Sequence, residues 1–167
     1  MQEIEYDVLN DVYTDAEVNT DLKTPRPGTV IWSETYKAHF RLLKNAEASS
    51  AITAQLACVA KATHKSSYYV IIAADDSSPC FGGVRAPGAA SVPAGSWAWF
   101  QVDGQATFMS SGTITVANGG VYTKASVPGK VQGTGDGSAL AAFAQAEAAV
   151  DTLSADVKAS IMQCVFG

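Results

Sequence analysis

Trp97-Ala98-Trp99-Phe100-Gln101-Val102-Asp103-Gly104-Gln105-Ala106-Thr107-Phe108-Met109 sets two short β-forming runs on either side of an Asp-Gly pair. Asp-Gly between such runs is a strong signal for a tight hairpin turn, so the stretch predicts two antiparallel strands. The surrounding composition extends the pattern. Residues 79–137 hold 12 of the 14 glycines and four of the six prolines, with short runs at Thr113–Ala117 and Gly120–Lys124 and a second hairpin signal at Asn118-Gly119. Regularly spaced short strands with turn chemistry between them predict a small antiparallel β-barrel or sandwich. A flexible glycine-rich linker would not carry Trp97, Trp99 and Phe100.

Upstream, a period-2 pattern begins at Thr29. Val30, Trp32, Tyr36, Ala38, Phe40 and Leu42 share one parity, and Ser33, Thr35, Lys37, His39 and Arg41 share the other. That alternation predicts a half-buried strand or hairpin turning near Glu34-Thr35, with the first set inward. Residues 50–62 fit a helix face and a strand equally well. Tyr68-Tyr69-Val70-Ile71-Ile72 reads as a core strand that stops at the turn cluster Asp75-Asp76-Ser77-Ser78-Pro79.

Downstream, seven alanines between Ser138 and Val150 predict a helix over about 138–150, with Ser138 as its N-cap. Val157–Phe166 reads as a closing strand.

Charge divides the 167-residue chain. Its formal charge is −5, yet residues 1–21 carry seven acids and no base. Removing them leaves nine acids against 11 Lys+Arg, so the body carries +2. Thr24-Pro25-Arg26-Pro27-Gly28 is the boundary, since prolines bias their predecessors to extended backbone and glycine permits a turn. The reading is therefore an acidic extended arm, 1–24, and one β-rich domain, 25–167. Ile4, Tyr6 and Val8 alternate along the arm and, with Val12 and Tyr13, suit a segment that docks on another surface. The arm predicts a basic partner surface, with binding that weakens as salt rises. Deleting residues 2–24 is expected to leave a folded body.

A near-neutral body with an acidic arm is a poor match for nucleic acid or an anionic membrane. No apolar run approaches the ~18 residues of a membrane span, and Met-Gln-Glu-Ile-Glu lacks signal-peptide character, so cytosolic synthesis is expected. Cys58, Cys80 and Cys164 are an odd, widely spaced set that reads as reduced and buried.

Chemistry-bearing motifs are scarce. His39 lies on the polar parity and His64 in a basic loop, neither within a nucleophile or metal motif. Asp75 and Asp76 are adjacent, which suits a turn better than acid–base work. Gly133-Thr-Gly-Asp-Gly-Ser138 lacks the Lys-Ser/Thr ending of a phosphate loop. Trp97 and Trp99 share one strand face, which suits a core or subunit interface and, as an alternative, a stacking platform for bases or sugars. No enzyme activity, cofactor or metal is expected.

Three strings carry a resemblance. They are Pro27-Gly28-Thr-Val-Ile-Trp-Ser-Glu-Thr-Tyr-Lys-Ala-His-Phe40-Arg41-Leu-Leu-Lys-Asn with Ala51-Ile-Thr-Ala-Gln-Leu56, then Val92-Pro-Ala-Gly95-Ser-Trp97-Ala-Trp99-Phe100-Gln101-Val-Asp-Gly104-Gln-Ala, and Thr115-Val-Ala-Asn-Gly-Gly120-Val. Over roughly residues 27–167 they resemble the small head-decoration (cement) proteins of tailed bacteriophages. Gln55 stands where that pattern commonly has glycine, and Leu42 replaces its usual tyrosine. The resemblance implies a non-enzymatic virion protein on the outer capsid surface, made in the host cytoplasm. Its implied partners are the major capsid protein and neighbouring copies of itself. Ile4, Tyr6, Val8, Val12, Tyr13, Trp97 and Trp99 are the capsid-interface candidates. Another virion part (a tail or head–tail joining protein) and a carbohydrate-binding module using Trp97 and Trp99 are the alternatives.

Overall fold

The computed structural model describes residues 8–61, 68–73, 81–111, 120–123, 127–133, 144–147 and 156–161. The fold is mainly β and contains a closed five-stranded barrel with further strands around it. Strands β3 (Ala38–Asn45), β4 (Ala57–Ala60), β5 (Tyr69–Ile72), β6 (Phe81–Val84) and β7 (Trp97–Gln101) form the barrel. Its pairing runs β3–β5–β4–β6–β7 and returns to β3. Only β3–β5 is parallel; the closing β7–β3 ladder is antiparallel, from Phe40↔Gln101 to Lys44↔Trp97. Closure removes the free edges that an open sheet of such short strands would expose.

Leu43, Cys58, Ala60, Val70, Ala98 and Phe100 fill the interior. Most are small, which is why five strands can close around them. Two adjacent glycines of β6 allow close approach: an added Cβ would lie 2.7 Å from Val70 Cγ1 at Gly82 and 2.8 Å from Phe100 Cβ at Gly83, where φ is +147°.

Two short segments flank the barrel. β2 (Val30–Ser33) pairs with the start of β3, and β1 (Val12–Tyr13) pairs with the start of β7. The hairpin near Glu34-Thr35 is present, with register Val30↔Arg41 to Ser33↔Ala38. Its facing differs from the parity expectation. Every partner pair adds to an odd number, so the even residues of β3 share a face with the odd residues of β2. Ala38, Phe40 and Leu42 are buried as expected, but Ser33 is buried in β2 while Val30 and Trp32 are exposed.

The expected Asp103-Gly104 hairpin is not formed. β7 pairs with β1, β3 and β6, whereas β8 (Gln105–Met109) pairs with β12 (Asp156–Ile161). Asp103 instead accepts the His39 backbone N–H at 2.6 Å, and Gln101 Nε2 donates to the carbonyls of Asp103 and Gln105. Gly104 has φ +68°, with Lys37 O 3.0 Å from the Cβ it lacks. These contacts tie the turn to β3 and send the chain onward into a second sheet.

That sheet has the order β10 (Val131–Gln132), β9 (Gly120–Thr123), β11 (Ala144–Ala146), β12, β8. A parallel bridge, Ser110↔Val131, brings its two end strands together. Ala106, Phe108, Val131, Ala144, Ala146 and Ala159 form its core, joined by Ala57 and Val84 from the first barrel.

The helix expected over 138–150 is overturned where it can be seen. Residues 144–146 are strand, paired with Ile161–Ala159 on one side and with Val121 and Gly120 on the other. Alanine's helix preference over other residues is only about 0.7 kcal/mol or less per position, which a two-sided ladder with both alanines buried overrides. The remaining residues of that expectation, 138–143 and 148–150, lie outside the described residues, as do Asn118-Gly119, Asp75-Asp76 and 162–166 of the closing strand. The described part of that closing segment, through Ile161, is strand β12.

Candidate interaction surface

The arm is not extended throughout its described residues: Val12–Tyr13 is strand β1, but a helix follows it. Thr14-Asp-Ala-Glu17 is a capping-box sequence, and it starts helix α1, Asp15–Thr20. Glu17 N–H donates to Thr14 Oγ1 at 3.3 Å, and the Glu17 carboxylate accepts the Thr14 N–H at 2.7 Å. That backbone hydrogen bond, helped by the Thr14 hydroxyl, holds the Glu17 carboxyl below its ordinary value.

Docking follows from amphipathicity. Leu9 and Val18 point inward onto Phe40, Leu42, Trp97 and Trp99, with Val8, Tyr13 and Tyr36 at the margin. Residues 12 and 13 add a two-residue ladder to β7, pairing Val12 with Ala98 and Tyr13 with Trp97. Strand β7 is therefore buried on both faces, by the barrel interior and by the arm. Its continuous Trp-Ala-Trp-Phe run is what two-sided burial requires.

Two polar anchors reinforce the contact. Asp15 accepts hydrogen bonds from Lys44 Nζ at 2.5 Å and Trp97 Nε1 at 2.6 Å. Lys44 Nζ lies 5.2 Å from the Tyr69 ring centroid and 5.8 Å from that of Trp97, so its charge is flanked by π faces. The Lys44 contact, partly opposed by burial, holds the Asp15 carboxyl below its ordinary value.

The second anchor is Arg85, which is 1% exposed. Its Nη1 donates to Leu9 O at 2.9 Å and Trp99 O at 2.7 Å, and Nη2 donates to Ala90 O at 3.1 Å. Asn10 Oδ1 accepts the Ala90 N–H at 3.0 Å beside it. Burial among neutral carbonyls pushes the guanidinium down to about 10. Arg85 thus joins arm, strand β7 and the 85–90 loop through one side chain.

Five of the seven interface candidates are placed by this geometry. Val8, Tyr13, Trp97 and Trp99 meet in one cluster, and Val12 packs against the barrel core beside it. They hold the arm to its own barrel. Ile4 and Tyr6 lie outside the described residues. Trp97 and Trp99 are 4% and 1% exposed, so neither is an open platform for a sugar. Removing residues 2–24 would uncover these indoles together with Phe40 and Leu42, so the truncation carries a stability cost that the arm-plus-body reading did not include.

The arm's outer side is acidic. Asp11, Asp15, Glu17 and Asp21 are all exposed, while Val18 is buried beneath them. Leu9 and Val18 are buried against the barrel while Asp11, Glu17 and Asp21 are exposed; Asp15 bonds to the barrel, and Leu22 is 97% exposed.

Other chemistry-bearing residues have structural surroundings. His39 Nδ1 lies 2.6 Å from Asp103 Oδ2, and its ring meets Trp32 edge-on at 4.9 Å. Cys58 is a free, fully buried thiol whose ionisation is pushed up by burial. His64, Cys80 and Cys164 lie outside the described residues. Among the described residues there is no group of three or more His, Cys, Asp or Glu able to hold a metal ion. No described helix is long and apolar enough to cross a membrane.

Asp15, Lys44 and Arg85 are the positions that sequence reasoning missed. The Thr14-x-x-Glu17 capping box was a visible signal for the helix that presents Asp15. Arg85 is one of only three bases in the glycine-rich stretch, which marked it weakly. No protein-family model matches the chain, and no curated protein matches it.

Proposed function

We propose that the chain is a structural virion protein that binds the outer surface of a tailed-phage capsid and stabilises it between major capsid protein subunits. The observation that carries this reading is the acidic outer side of the docked arm, Asp11, Glu17 and Asp21, held on a closed barrel. A charged surface fixed before binding is presented to a basic partner without the entropy cost of ordering a free segment. In this reading Val8, Val12, Tyr13, Trp97 and Trp99 position the arm, and these three carboxylates face the capsid. Ile4 and Tyr6, which precede the docked segment in sequence, are assigned in this reading to contacts with a capsid subunit or a neighbouring copy. The protein works by contact, without a catalytic group, cofactor, nucleic acid or membrane. The resemblance over residues 27–167 supplies the virion assignment, and the β-barrel architecture agrees with it.

The test is imaging of purified virions that carry the chain, with its density located and counted. Many copies over the outer shell at junctions between capsid subunits, lost progressively at rising salt, are expected. Density confined to one ring at a vertex, or absent from the outer shell, would overturn the reading.

A further inference from the structure

The arm is joined to its barrel by a tether, residues 22–27, through which none of the anchors described above passes. Leu9 and Val18 pack on Phe40, Leu42, Trp97 and Trp99, and Val12–Tyr13 pairs with β7. Asp15 bonds to Lys44 and Trp97, and Arg85 bonds to Leu9 O. The hydrogen bonds that shape the tether are local: Lys23 N–H to Asp21 Oδ1, Thr24 N–H to Asp21 O, and Thr29 N–H to Arg26 O. Its far end is pinned at Gly28, whose N–H donates to Leu42 O at 2.9 Å. There an added Cβ would lie 2.5 Å from Tyr68 Cζ, so the ring closes over the glycine.

Two features of the tether stand out. Leu22 is 97% exposed, although the other leucines of the described segment, Leu9, Leu42 and Leu43, are buried. Beside it a hollow of about 250 Å³ opens between the end of α1 and the tether, lined by Val18, Asp21, Leu22, Thr24, Arg26 and Pro27. The tether therefore carries an uncovered apolar side chain next to unfilled space. Pro25 and Pro27 also bias Thr24 and Arg26 toward extended backbone. Six extended residues reach up to ~20 Å, enough to carry the arm off its own barrel.

We infer that two copies of the chain exchange arms, residues 8–20 of each docking on β7 of the other, with the two tethers crossing so that Leu22 and the hollow of one copy meet those of its partner. The occupant of the β7 surface is set by complementarity: residues 8–20 are the segment shown to fit it, and a second copy carries them unchanged. Every arm contact is the same within one copy and between two, so the balance rests on the tether. A short tether gives the arm an effective concentration of about 1 mM at its own barrel. Burying one leucine is worth about tenfold or more in affinity, and a two-fold pair buries two. Exchange is then expected from about 10 μM upward. The inference stands on the arm's own contacts and is independent of the capsid assignment.

The test uses the full chain in two preparations, one labelled with nitrogen-15 and one with carbon-13, mixed in urea and refolded together at about 1 mM. A dimer is expected by size-exclusion chromatography. In it, NOEs are expected from the nitrogen-15-bound amide of Val12 in one copy to the carbon-13-bound protons of Ala98 in the other, because these residues are ladder partners. Leu22→Asp leaves the urea midpoint of the isolated monomer unchanged, since that side chain is exposed there, and is expected to weaken dimerisation about a hundredfold. A chain that stays monomeric at 1 mM would overturn the inference. So would a dimer whose Val12–Ala98 NOEs stay within one label, or one that Leu22→Asp forms as tightly as the parent.

Discussion

Replacing Gln55 with glycine is expected to stabilise the protein, and replacing Gly95 with glutamine to destabilise it. The two residues occupy equivalent turns. Ile52 and Val92 bridge each other through reciprocal N–H···O bonds of 3.0 and 2.9 Å, and each is followed by a turn that enters a barrel strand, β4 or β7. The left-handed position of each turn is Gln55, φ +66°, and Gly95, φ +80°. An L-residue in this region costs roughly 1–2 kcal/mol, while glycine loses about 0.5–1 kcal/mol of extra chain entropy on folding. The backbone balance therefore favours glycine by about 0.5–1 kcal/mol.

Gln55 carries a second cost, because its Nε2 is buried without a hydrogen-bond partner among the described residues. Such a group costs about 1–3 kcal/mol, offset in part by the packing its half-buried stem provides. The bonds that Gln55 makes, N–H to Arg85 O and C=O from Met109 N–H, both at 3.0 Å, are main-chain bonds that glycine retains. The net expectation for Gln55→Gly is a gain of about 1–2 kcal/mol, or a Tm rise of several degrees in a chain of this length. An added Cβ at Gly95 meets nothing within 4 Å, so Gly95→Gln isolates the backbone part and is expected to cost about 0.5–1 kcal/mol. Urea unfolding followed by tryptophan fluorescence, at unchanged m-value, reads both. A lower midpoint for Gln55→Gly, or no loss in Gly95→Gln, would refute the turn-strain argument.

Two predictions concern the arm. A carboxyl held below its ordinary value of 3.8 stabilises the docked state above that value and ceases to do so as pH falls through its lower folded value. Acrylamide quenching of the tryptophans is accordingly expected to rise below about pH 4 in the intact chain. Asp15→Ala is expected to show the higher quenching already at neutral pH, at a cost of no more than about 1 kcal/mol because the pair is partly solvated; identical quenching curves would sink the latch. Arg85→Met strips the donor from the carbonyls of Leu9, Trp99 and Ala90, and is expected to cost about 2–4 kcal/mol and to speed tryptic cleavage at Lys23. Unchanged stability and cleavage rate would show that Arg85 does not hold the arm.

Legibility varied along the chain with the range of the interaction that decided each element. The strands at Ala38–Asn45, Tyr69–Ile72 and Trp97–Gln101 follow from local β-forming runs. Asp103-Gly104 carried a local hairpin signal, yet its partner is His39, 64 residues away, and the turn redirects the chain. Residues 144–146 carried a helix signal of a few tenths of a kcal/mol per residue, which pairing with β9 and β12 outweighs. The capsid-interface candidates Val8, Tyr13, Trp97 and Trp99 pack in one cluster that joins the arm to its own barrel, a contact that no local pattern states.

Composition and short-range pattern by themselves determined a β-rich chain and an acidic N-terminal segment. These depend on side-chain type and on period 2, which a sequence states directly. Tertiary structure decided the barrel closure, the folding of the arm onto Trp97 and Trp99, and the exposure of Asp11, Glu17 and Asp21. It also decided which face of β2 meets solvent. That choice follows from a loop length and register that reverse parity between paired strands, and parity along one strand cannot reveal the facing of the next.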